Sequence, residues 1–110
     1  MHETLLDVVR RGEGVDVRDL APASSLFVWT LNTRYRLIIT QSQDVFVQGG
    51  TFFPDPTAAR LIGSSLHPGG WLKVGWVGID LRLELRAGER YVVTSPVRAI
   101  TGADCIRAHR

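Results

Sequence analysis

A chain of 110 residues, 45% hydrophobic and 22% charged, has material for one compact domain and too little for two. Its net charge of +2 does not by itself mark a nucleic-acid binder, although ten basic against six acidic residues follow position 22. The lone Cys105 removes any internal disulfide, no apolar run can span a bilayer, and Met1-His2-Glu3-Thr4 lacks a leader's basic-then-apolar order, so a soluble cytoplasmic protein is expected.

Leu5, Leu6, Val8 and Val9 fall on one side of a short helix with acids at its start, Arg10 and Arg11 at its end and Gly12 placed to stop it. About two turns are not stable alone, so this helix is expected to dock on the rest of the domain. Residues 1–22 read as the helix and a connection, 23–101 as a β domain and 102–110 as a tail.

Residues 26–31 form a β-rich run that Asn32-Thr33 interrupts, and 34–40 resume it with Tyr35, Leu37 and Ile39 on one side. A polar loop at 41–44 leads to a strand at 45–48, and Gly49-Gly50 suits a tight two-residue turn. Pro54-Asp55-Pro56 is expected to break the pairing, because proline offers no N–H to a ladder. A short strand at 58–62 and a loop at 63–70 follow. Leu72, Val74 and Trp76 share one face, whereas residues 79–86 alternate apolar and charged without error, burying Ile79, Leu81, Leu83 and Leu85. That phase change places a bulge or bend at Gly78. Residues 87–89 close a hairpin, 90–94 return, Ser95-Pro96 interrupts, and 97–101 form the last strand. The fold expected is mainly β: a small antiparallel barrel, a meander with bulges, plus one short N-terminal α-helix. A two-layer sandwich is the alternative.

No residue pattern carries catalysis. Ser64 and Ser65 lie near His67, and Cys105 near His109, but no nucleophile-elbow glycines surround them. The histidines are too scattered for a zinc site, the glycine pairs open no helix that would hold phosphate, and Asp80 and Glu84 read as members of a solvated face beside Arg82 and Arg86. No cofactor and no metal are therefore expected, and the protein is read as not an enzyme.

The segments Thr30-Leu31-Asn32-Thr33-Arg34-Tyr35, Gly49-Gly50, Gly63-Ser64, Lys73-Val74-Gly75 and Thr94-Ser95-Pro96-Val97 resemble a set of small, functionally uncharacterised bacterial β proteins. In those, Thr-x-Asn-Ser-x-Tyr, Gly-Gly, Gly-Ser, Lys-x-Gly and Thr-Ser-Pro-Val recur in this order; Thr33 stands here in place of serine. The resemblance implies no activity, but it singles out Asn32, Thr33, Lys73, Thr94 and Ser95 as polar groups near strand ends. Lys73 is the only lysine, and its ammonium must face solvent or address an anion.

The function expected is a binding or assembly module that works through self-association as a homo-oligomer or through docking to another protein. Phe52, Phe53, Trp71 and Trp76 are more large apolar groups than so small a core needs. The alternative is a barrel that binds single-stranded nucleic acid, with Arg34, Arg36, Lys73, Arg82 and Arg86 interleaved among Trp29, Tyr35, Phe52, Phe53, Trp71, Trp76 and Tyr91. A third class is a nucleotide- or small-molecule-binding protein, or an enzyme, with its site near Lys73. No membrane partner is expected.

Overall fold

The computed structural model describes residues 14–103. The predicted N-terminal helix, Cys105 and His109 lie outside the described residues. The strands are β1 (Gly14–Asp16), β2 (Ser25–Thr30), β3 (Arg34–Gln41), β4 (Asp44–Gly49), β5 (Phe53–Ser65), β6 (Leu72–Val74), β7 (Trp76–Gly78), β8 (Arg82–Ala87) and β9 (Arg90–Ala103). One 3-10 turn, Val17–Asp19, follows β1, with the Asp16 side chain accepting from the Arg18 amide as its cap. Among the described residues no helix is long and apolar enough to cross a membrane.

The architecture is mainly β and antiparallel, as the alternation implies. Seven strands pair in the order β4-β3-β2-β9-β8-β5-β6, and β4 also pairs with β5. Six strands are therefore hydrogen-bonded on both sides, and the pairings return to their start. β1 and β7 make a separate two-stranded ribbon.

Inward positions follow the period of two. Leu26 and Val28 on β2, Tyr35, Leu37 and Ile39 on β3, and Val45 and Val47 on β4 enter one core with Phe53, Leu61, Leu83, Leu85, Val92, Val97 and Ile100. Val15, Val17 and Val77 join it from the ribbon and its turn. Each such side chain, removed from water, supplies about 1.5–3 kcal/mol before chain entropy is set against it.

Several boundaries differ from the sequence reading. The prolines do not end a strand, because β5 runs through them. Its pairing with β4 steps from Gly49 opposite Phe53 to Val47 opposite Thr57, so residues 54–56 bulge out across from Gln48, where the ladder asks for fewer N–H groups. Gly63, Ser64 and Ser65 belong to β5 and not to a loop. The Gly-Gly turn is one residue longer than expected, since β5 starts only at Phe53.

The phase change falls at Gly75, not Gly78. Gly75 adopts φ 71° and separates β6 from β7, leaving Val74 exposed and Val77 fully buried. The error-free alternation from 79 to 86 is only partly strand. Asp80 takes φ 69°, the Leu81 amide donates to the Gly78 carbonyl at 3.2 Å, and β8 begins at Arg82. Ser95-Pro96 does not interrupt β9 but forms a bulge, between Pro96 opposite Arg82 and Val93 opposite Glu84.

Glu84 corrects the idea of a uniformly solvated outer face. It is only 4% exposed, and its carboxylate accepts hydrogen bonds from the Ser65 and Tyr91 hydroxyls. The residue opposite it on β5 is Gly63, which has no side chain to compete for that space.

Candidate anion-binding groove

Because β2 sends Leu26, Val28 and Thr30 inward, Phe27 and Trp29 must face outward. On β3 the inward set is Tyr35, Leu37 and Ile39, so Arg34 and Arg36 share that outer face. The register sets Phe27 opposite Arg36, Trp29 opposite Arg34, and Arg36 opposite Gln48 on β4. Two aromatic rings and two guanidiniums thus tile adjacent strands.

Beside this tile the chain reverses through Gly49 and Gly50, at φ 146° and 67°. A side chain at Gly49 would run into the Arg34 carbonyl, so glycine lets the turn close against β3. Between turn and tile lies a groove of about 390 Å³ lined by Phe27, Arg34, Arg36, Gln48, Gly49, Gly50, Phe53 and Pro54. Among the described residues no carboxylate lines it. The Arg34 guanidinium sits 5.0 Å from the centre of the Phe27 ring, and Phe27 and Trp29 lie 6.2 Å apart at a tilt of 43°. Arg90 covers the Phe53 ring at 5.1 Å and donates to the Phe52 carbonyl at 3.0 Å.

Charge pairing leaves this face alone. Among the described residues the ion pairs are Arg18 with Asp16, Arg60 with Asp44 at 3.1 Å and Arg98 with Asp80 at 3.0 Å. Arg34 and Arg36 are exposed and have no such partner among the described residues. An ammonium or guanidinium without a carboxylate keeps its full attraction for an incoming anion, and Arg presents a planar fork suited to phosphate oxygens.

The structure separates the other residues singled out in the sequence. Thr94 is buried; its hydroxyl accepts from the Leu83 amide at 3.0 Å and donates to the Ser95 carbonyl at 2.7 Å, shaping the β9 bulge. The Ser95 hydroxyl accepts from the Asn32 amide at 3.3 Å, and the Thr30 hydroxyl caps the turn by accepting from the Asn32 and Thr33 amides. These groups serve the backbone. Thr33 and the Tyr35 hydroxyl both lie beside Gly50 at the edge of the groove.

Lys73 and Trp76 lie elsewhere, on β6 and β7, with the ammonium 3.7 Å from the indole centre. Trp71, at 60% exposure, stands just before β6. Neither is part of the groove. Phe27 and Gln48 are members that the sequence reading did not single out, and Phe53, counted there among the surplus large apolar groups, joins them. A signal for Phe27 existed: residues 26–29 are apolar on both faces, so one face had to serve something besides the core.

Two perturbed phenols mark the remaining polar chemistry. Hydrogen bonding to the Glu84 carboxylate, with desolvation second, pushes Tyr91 up to about 12. Burial raises Tyr35, partly offset by its bond to Thr33. These are the only two tyrosines. Tyrosinate absorbance is therefore expected to rise only above the ordinary phenol range, and Glu84→Gln to bring one of the two transitions back toward it. In the folded protein Tyr91 holds its proton more tightly than in the unfolded chain. Its contribution is complete below pH of about 10 and is lost as pH climbs through about 12.

Among the described residues no three His, Cys, Asp or Glu side chains cluster as metal ligands. The chain matches no protein-family profile, no curated protein and no solved structure.

Proposed function

We propose that this protein is a non-catalytic binding module: the ring of six paired strands is a closed barrel, and its outer groove takes a phosphate-bearing ligand. The observation that carries this reading is the convergence of Arg34 and Arg36, neither held by a carboxylate among the described residues, on one groove. Its volume of about 390 Å³ falls within the range of small-molecule sites, and Arg34, Arg36 and Gln48 supply its polar side chains. Inorganic polyphosphate is the probe, with isothermal titration calorimetry as readout. Arg34→Ala with Arg36→Ala is expected to weaken binding about 100-fold, since each charge-assisted hydrogen bond contributes about 1.5–3 kcal/mol. Unchanged affinity in a variant with an unchanged melting curve would remove the groove from consideration.

A second reading, self-association, is favoured by a separate observation. Leu66, Trp71 and Val74 are all exposed, and β6, which ends at Val74, pairs only with β5 among the described residues. An open strand edge beside an apolar cluster can add the same edge of a second copy across a two-fold axis. Sedimentation is then expected to show a dimer that Trp71→Glu converts to monomer. A monomer at tens of micromolar in the unaltered protein counts against it.

A further inference from the structure

We infer that the ligand of the groove is single-stranded nucleic acid, its phosphates held at Arg34 and Arg36 and its bases stacked on the Phe27–Trp29 strip. This rests on the groove reading and goes one step beyond it, because a bare polyanion has no use for the strip.

The strip is built for flat apolar partners. Phe27 and Trp29 stand two residues apart on one strand, a repeat of about 6.6 Å, and their ring centres are 6.2 Å apart. Their neighbours on β9 are small: Thr101 opposite Phe27 and Ala99 opposite Trp29. Both rings are half-buried. On the other side, the Arg34 guanidinium lies over Phe27, so a base added there continues a ring-and-guanidinium stack, which every base can do through its π-face.

The charges run alongside the rings. In the β2–β3 register each aromatic residue faces one arginine, so base and phosphate of a single nucleotide would meet neighbouring side chains on adjacent strands. Arg90, over Phe53, adds a third cation beyond the groove floor. A double helix presents phosphates but hides its base faces, so it can engage the arginines and not the rings. Single strands, whose bases splay out, satisfy both halves of the tile.

The test uses the full chain with end-labelled oligothymidine and oligoadenosine, as DNA and as RNA, read by fluorescence anisotropy. Duplex DNA and inorganic polyphosphate serve as competitors. Expected is tighter binding of single strands than of duplex, with a log–log salt slope of about −1.4 for two neutralised phosphates. Trp29→Ile keeps an apolar, β-compatible side chain but removes the stacking face. It is expected to weaken oligonucleotide binding about tenfold while leaving polyphosphate affinity unchanged, and Trp29→Phe to retain most of the affinity. Should Trp29→Ile fail to fold, Phe27→Ile reads the loss of oligonucleotide binding alone, since Phe27 lines the groove and carries Arg34. Polyphosphate and duplex binding as tight as single strands, with Trp29→Ile and Phe27→Ile both silent, overturns the nucleic-acid assignment and leaves the groove reading standing. If no anion binds at low salt, both fall together.

Discussion

Phe53→Ala is expected to lower the unfolding free energy by about 3–5 kcal/mol, read as a shift of the urea midpoint with little change in slope. Phe53 is among the largest side chains wholly removed from solvent. It opens β5 directly opposite Gly49, whose close approach to the Arg34 carbonyl gives the turn little freedom to collapse into a void. The cavity therefore persists, and its unfilled volume adds to the lost transfer energy. Phe52, one residue earlier, is 55% exposed, and Phe52→Ala is expected to change stability by less than about 0.5 kcal/mol. Similar losses at both positions would mean that the placement of the two rings is wrong. Since Phe53 packs beneath the groove, its alanine variant should lose ligand affinity along with stability, whereas Phe52→Ala should not.

The contrast between those adjacent rings shows where sequence reasoning stops. Within a regular strand, period two tells inside from outside, which is why Tyr35, Leu37 and Ile39 were legible as a buried face. After a turn the phase is reset, and nothing local in Thr51-Phe52-Phe53 says which ring goes in. The same holds at 79–86. The alternation is real, but its first three residues are a turn held by non-local bonds, from Asp80 to the Val97 carbonyl and from Val97 to the Leu81 carbonyl, both at 2.8 Å. The candidate site was half visible. Arg34 and Arg36 stood out as outward cations, and Trp29 as an aromatic nearby. Their assembly with Phe27, Gln48 and the Gly-Gly turn depends on strand register, which is set by the whole sheet. Thr94 and Ser95 stood out equally, yet the register spends them on a bulge.

Glu84 draws both of its hydroxyl partners from other strands, and removing those two donors is the second large effect expected. Ser65 comes from β5 and Tyr91 from β9, and together they supply the hydroxyls that replace water around a carboxylate otherwise shut off from it. Ser65→Ala combined with Tyr91→Phe leaves that charge buried without a donor, at an expected cost of about 3 kcal/mol. Ser65 should account for the larger share. It is fully buried, so no water can take over its bond, whereas Tyr91 is half exposed and water can enter beside it. Adding Glu84→Met removes the acceptor as well and fills similar volume with an unbranched apolar chain. The triple variant is expected to recover most of the lost stability, because the penalty comes from an unsatisfied charge and not from missing bonds as such. Chemical denaturation of the double and triple variants decides it. If Glu84→Met deepens the loss, the carboxylate holds β8 in place through contacts other than these two hydroxyls.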